Sequence, residues 1–336
     1  MDKLERPKAT GKGRFPIPAG STFGCLGVQT NVSANLPKHT NLEPGVFGLD
    51  RVPFDLEEFW VQQIGKAQAT HFHESNFVIL VKRDSPDTDN HSLQRIATTY
   101  YYALLIMGTA YSSQGLEVGG RRSRTGTIHQ NSLTPLDSFH GPFHSNPPPV
   151  TRESLMASVG IAAGLKLIFF ANEASSNYLR LRKGVNALLK GIMEDQAHTR
   201  LSYMVRSIEA IIRPSLDHLR EDFVRRCQVF AGTSRATLNI LKEIYALRLY
   251  ADHIYPMSEA VSRWPKSQQE EVIGLRTYQA ELLANYVLRQ TLTDPVLLET
   301  LKTEDSVRRF WSRIENGGEN SWRSPPIDLA SIATRD

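Results

Sequence analysis

Cysteine is nearly absent: the 336-residue chain holds only Cys25 and Cys227, far apart in sequence. Their spacing matches no zinc or redox motif, so a disulfide framework and a cysteine-ligated metal are excluded. Both read as small apolar core residues in a reducing compartment, and the expected location is the cytoplasm. Long apolar runs are also missing. The best candidate, residues 159–171, is too short for a bilayer and is interrupted by Lys166. The N-terminus is basic but has no apolar h-region, so neither a signal peptide nor a membrane partner is expected. The glycines of GGRRSR, from Gly119 to Arg124, are not followed by Gly-Lys-Ser/Thr, and no dinucleotide fingerprint or Gly-x-Ser-x-Gly occurs. No motif therefore requires a cofactor. Charge is close to balanced, 39 Lys and Arg against 35 Asp and Glu, and the net +4 permits a polyanionic partner without demanding one.

What is present divides by composition into two unlike halves, an α+β chain in which a mixed α/β domain precedes an all-α bundle. Residues 1–20 are basic and rich in Gly and Pro and read as a flexible arm. Residues 21–114 are mixed. A β-prone piece covers 23–28, and a helix is expected over 55–64, capped by Asp55 with Phe59 and Trp60 turned inward. NFVILVK at 76–82 is the clearest strand, and a helix follows over 92–107. Residues 115–150 are glycine-rich, then proline-rich, and read as a linker or long loop. Beyond them, helical periodicity is expected over 176–193, 199–212, 217–230, 234–256, 267–290, 295–301 and 305–314. Asp217 and Ser234 are the expected caps, and short loops favour an antiparallel bundle over 151–316. Residues 317–336 read as a polar, loose tail.

The chemistry concentrates in LKEIYALRLYADHIYP, residues 241–256. Arg248 offers a planar fork suited to phosphate, and His253 an imidazole that titrates near neutrality. Asp252 stands between them, on the face of Arg248. Residues five apart lie about 140° around a regular helix, so the pair converges only if the last turn loosens or a second copy contributes. Glu209, beside the apolar stripe of its helix, needs a cationic partner such as Arg206 or Arg225, or else serves to position Arg248. Arg225 and Arg226 suit a phosphate groove or a paired surface. His71 and His73, with His140 and His144, offer a weaker metal alternative that lacks any cysteine partner.

An Arg, four to six residues, then His near the end of a helix resembles the signature of HEPN domains. The upstream landmarks RSIEAIIRP (206–214), FVRR (223–226) and Ile244-Tyr245 before Arg248 are similar in order to those of Apea-like HEPN proteins. The resemblance spans roughly residues 176–314. It implies a helical bundle, a homodimer and a metal-independent endoribonuclease of the kind found in bacterial defence and toxin–antitoxin systems, sometimes with a regulatory protein partner. It also implies roles: Arg248 on the scissile phosphate, His253 as general base or acid, Asp252 orienting them, Glu209 and Tyr245 in support, and Arg225 and Arg226 on RNA. Active members often carry a polar residue directly after the Arg, where this chain has Leu249. The alternative is therefore a non-catalytic RNA- or protein-binding module of the same fold.

Overall fold

The computed structural model describes residues 17–85, 88–142, 146–170, 176–253, 257–317, 322 and 325–332, with the side chains of His253 and Met257 outside that set. Its first half is a six-stranded antiparallel sheet with helices on both faces. In chain order come β1 (Thr22–Val28), β2 (His39–Glu43), β3 (Val46–Leu49), α1 (Glu58–Ile64), α2 (Lys66–His73), β4 (Phe77–Arg83), α3 (Asn90–Ile106), β5 (Gly115–Arg122) and β6 (Ile128–Pro135). The strands stand in the order β2-β3-β4-β1-β5-β6. The central β1 is buried along its whole length and pairs with β4 and β5, setting Cys25 opposite Leu80 and Val118. One sheet face packs Phe23, Cys25, Val78 and Leu80 against Phe54 and Phe72, under α1 and α2. The other packs Leu26, Ile79 and Val81 against Tyr100 and Leu104 of α3. Alternate burial on a two-faced sheet explains why NFVILVK reads as one unbroken apolar run.

The second half is helical: α4 (Arg152–Phe170), α5 (Leu179–Met193), α6 (Ala197–Ile212), α7 (Leu219–Ala231), α8 (Arg235–His253), α9 (Met257–Ala260), α10 (Gln269–Thr293), α11 (Pro295–Thr300) and α12 (Glu304–Glu315). Helix α10, of 25 residues, runs through the centre and meets α4, α6 and α8 as well as α3 of the first half. One continuous core therefore extends from Leu26 and Val28 of β1 to Leu283, Leu288 and Leu329. The α+β class stands as expected, and the starts of α3 and α8 follow local chemistry. Asp89 accepts from the amides of His91 and Ser92 ahead of α3, and Ser234 accepts from Thr237 N at 3.1 Å ahead of α8.

Several expectations need correction. Residues 115–150 are not a linker, because β5 and β6 complete the sheet there. The glycines that suggested a loop are strand glycines demanded by close approach. A Cβ on Gly120 would lie 2.5 Å from His129 O and 2.7 Å from the Phe23 ring, and one on Gly119 would press on Ser132 and Gln94. In α1 the cap position belongs to Glu57, without a side-chain bond, and Phe59 points outward at 59% exposure. Asp217 lies in a 3₁₀ turn before α7 and caps nothing. The described part of the expected tail is packed, not loose: Trp322 packs on Phe230 with ring centroids 4.4 Å apart, Ile327 N donates to Phe230 O at 2.8 Å, and Leu329 is fully buried. At the other end, residues 1–16 of the expected arm lie outside the described residues, whereas Ile17 is buried and its carbonyl accepts from Arg122. Helix α4 has the length and apolar composition of a membrane span, but Leu155, Ile161 and Leu165 on its inner side belong to the core.

The two halves meet at a charge pair sealed from water. Arg200, at the start of α6, donates to both carboxylate oxygens of Glu281 on α10 at 2.9 Å; the two side chains are 0% and 1% exposed. Tyr111 from the loop after α3 donates to Glu281 at 2.9 Å, and Arg200 also donates to the carbonyls of His140 and Gly141 at 3.1 Å. Removing one partner leaves an uncompensated buried charge. Glu281→Ala is expected to cost about 3–5 kcal/mol in chemical denaturation. The double variant Arg200→Met with Glu281→Leu should cost far less than the sum of the single changes.

Candidate functional site

Helices α5 and α6 form an antiparallel hairpin. Arg180 near the start of α5 donates to the Glu209 and Ala210 carbonyls near the end of α6, while Gly191 at the far end lies against Tyr203. A cleft of about 790 Å³ opens over this pair. Its lining comes from α5 (Leu179, Arg180, Lys183, Asn186, Ala187, Lys190) and α6 (Tyr203, Arg206, Glu209, Ala210). Pro214, Leu216 and Leu219, Arg248 of α8 and Glu304 of α12 complete it. Five cations thus face two carboxylates. Lys183 and Lys190, seven residues apart, share the exposed face of α5 and have no bonding partner among the described residues.

Arg248 reaches this cleft because α8 packs its apolar side inward, with Leu241, Ile244 and Tyr245 in the core. Two carboxylates clamp it: its Nε lies 3.1 Å from Asp252 Oδ2, and its Nη2 lies 3.5 Å from Glu209 Oε2. Below it the Tyr245 ring lies 5.6 Å from the guanidinium and packs on Phe223. Asp252 also pairs with Arg206 at 3.4 Å. Burial pushes the Glu209 carboxyl above its ordinary value; Arg248 opposes this, and the Asp252 charge adds to it. Glu209 Oε1 and the Tyr245 hydroxyl are buried with no hydrogen-bond partner among the described residues. Both atoms lie close to Arg248.

The structure therefore brings together Arg248, Asp252, Glu209 and Tyr245. Glu209 pairs most closely with Arg248, with the Arg206 charge acting on it more weakly. His253 ends α8, and its side chain and residues 254–256 lie outside the described residues.

Arg225 and Arg226 do not line the cleft, and the phosphate-groove expectation for them is corrected. Arg226 is buried, donates to the carbonyls of Ile212 (2.8 Å) and Arg213, and pairs with Glu315 at 2.7 Å. Arg225 bonds Asp222 and Glu315, each at 2.6 Å. These groups satisfy the open carbonyl end of α6 and tie α7 to α12, the usual use of cations at a helix C-terminus. The metal alternative fares no better. His71 and His73 stand on α2, not on a strand, so two residues of separation turns them to different sides of the helix. His140 contributes its carbonyl to Arg200, and His144 lies outside the described residues. Among the described residues no three His, Cys, Asp or Glu side chains gather as metal ligands.

Reasoning from the sequence missed Arg180, Lys183, Lys190 and Tyr203. The signal was the spacing of basic residues at positions 180, 183 and 190 on an amphipathic helix, but such a stripe ordinarily marks a solvated face. Only the hairpin with α6 shows that it borders a cleft. Compared with protein-family models, with curated proteins and with solved structures, the chain matches none.

At the apolar end of the cleft, Asp222 fixes the turn that carries Leu216, accepting from Ser215 N at 2.9 Å and Ser215 Oγ at 2.7 Å. Burial raises the Asp222 carboxyl, but these bonds and Arg225 more than offset it, leaving it at about 2 against an ordinary 3.8. Because the folded value is the lower one, the stabilisation is fully present above pH 3.8 and is lost as pH falls toward about 2. After allowance for solvent screening, Asp222→Asn is expected to lose about 1–2 kcal/mol at pH 7. Denaturation curves of variant and parent should converge between pH 4 and pH 2.

Proposed function

We propose that this protein binds RNA in the cleft over α5 and α6 and cuts it there without a metal, as HEPN-type ribonucleases do. The observation that carries the reading is that Arg248, a clamped guanidinium, opens onto a cleft of nucleotide size whose walls add Lys183, Lys190, Arg206 and Arg180. Cations in a groove attract a phosphodiester backbone whatever its sequence.

In the proposed reaction Arg248 holds the scissile phosphate and stabilises the charge that grows on its oxygens. The ribose 2′-oxygen forms a bond to phosphorus as its proton passes to a general base, and the 5′-oxygen leaves and takes a proton. His253 serves as that base or as the acid. The products are a 2′,3′-cyclic phosphate and a 5′-hydroxyl. Asp252 and Glu209 hold Arg248 in place until phosphate replaces part of their contact. Positions 248 and 253 lie about 140° apart around a regular helix, so the reading includes a homodimer in which a second α8 completes the site.

A second reading has its own observation in favour. Arg248 already carries two carboxylates, at 3.1 and 3.5 Å, which suits a structural arginine in a non-catalytic RNA-binding module.

End-labelled RNA incubated with the protein and excess chelator separates the two. On the enzymatic reading, cyclic-phosphate ends accumulate, Arg248→Ala slows cleavage on the order of 10²–10³-fold, and His253→Ala stops it. Cleavage per chain should also fall on dilution through the dimer range, with binding retained. RNA that is bound and stays intact establishes the second reading. In either case Lys183→Ala with Lys190→Ala should weaken RNA binding and flatten its logarithmic salt dependence by about 1.4, at roughly 0.7 per phosphate contact.

A further inference from the structure

The cleft is not uniformly basic. Because α5 and α6 run antiparallel, its two ends differ in chemistry. At one end lie Lys190, Asn186 and Tyr203, with Lys183 and Arg206 towards the middle. At the other, where Arg180 meets the Ala210 carbonyl and pairs with Glu304 at 3.3 Å, four aliphatic side chains gather: Leu179, Pro214, Leu216 and Leu219. Leu216 is 88% exposed and Leu179 is 45% exposed. A single exposed leucine needs no explanation, but several aliphatic side chains lining one end of a polar cleft mark a surface that something apolar covers. Leu216 is not there by looseness of the chain. Its 3₁₀ turn, Leu216–His218, is pinned by the Ser215–Asp222 bonds, so the leucine is held out at the rim. Arg248 stands beside this aliphatic end, because its partner Glu209 adjoins Ala210.

We infer that the apolar end is a nucleobase subsite: it takes one unstacked base of the RNA whose backbone lies on the cations. The inference rests on the proposed RNA binding and adds the substrate class. The strand must be single, or flipped out, beside the phosphate on Arg248. Continuity argues for a base over any other apolar occupant. A nucleotide has an anionic part and a flat, largely apolar part joined within a few ångströms, and the cleft presents cations and aliphatics in that same succession. A base within a continuous duplex is stacked and paired and cannot enter such a subsite.

The test uses three probes that the reaction cannot cut: a 2′-O-methyl single-stranded RNA nonamer, the same backbone with abasic positions, and the nonamer annealed to its complement. Phosphate number is equal in the first two, so the cationic end contributes equally. The native chain is expected to bind the nonamer at least tenfold tighter than the abasic strand and tighter than the duplex. Leu216→Ala changes a side chain that contacts solvent, so the variant should fold like the parent. It should lower affinity for the nonamer about threefold and leave the abasic strand unchanged. Leu179→Ala with Leu216→Ala should bring the two strands close to equal affinity. Native protein that binds nonamer and abasic strand equally, or a Leu216→Ala variant that loses affinity for both alike, overturns the subsite while leaving RNA binding in place. Failure to bind any of the three probes overturns both.

Discussion

Helix α6 is the floor of the cleft, and its position depends on arginines at its two ends. At its start Arg200 is locked to two loop carbonyls and to Glu281, which Tyr111 also holds, in a site closed to water. At its finish Arg180 covers the Ala210 carbonyl and Arg226 that of Ile212, both left open by the helix itself, while Arg213 takes a left-handed conformation to end it. A buried guanidinium tolerates little displacement, because any shift exposes an unpaired charge to low dielectric. The arrangement therefore fixes α6 against α5, α7 and α10 at once, and the cleft over α6 inherits that rigidity.

The same constraint accounts for how arginine is used across this region. Those tied to carbonyl ends or to Glu315 are spent on the fold: Arg200, Arg226, Arg225 and much of Arg180. Those left facing the cleft are Arg206 and Arg248, each shared with Asp252. Lysine supplies the remainder, at positions 183 and 190. A compact, strongly hydrated ammonium on a long stem suits a surface that meets phosphate from solvent, whereas the planar fork suits fixed geometry.

The sheet half and the bundle are one packed body, and the join between them is chemical as well as apolar. Tyr111 reaches from the end of α3 to Glu281 of α10, and His140 and Gly141 reach Arg200. These bonds tie the loops after α3 and β6 to α10 and to the first turn of the helix that floors the cleft. That gives the N-terminal half a physical connection to the site.

Most of the helices, strand β4 and the pairing of Arg248 with Asp252 were legible because each is a local signal. Period-3.6 burial, a β-branched run, Ser234 before α8, and Arg248 with Asp252 one turn on are all fixed by neighbours in sequence. The glycine-rich strand β5 was not legible. Its glycines answer to Phe23, Gln94 and Ser132 from other elements, and no local pattern encodes a distant side chain's approach. The fate of each arginine was equally hidden. Arg226 and Arg248 look alike in sequence, and only the packing of α7 on α12 and of α8 on α6 decides that one closes a helix end while the other opens on a cleft. Sequence set which groups were available and which helices carried them. Tertiary structure decided which charges were used up, because a long, flexible cation takes whatever acceptor the fold brings within reach.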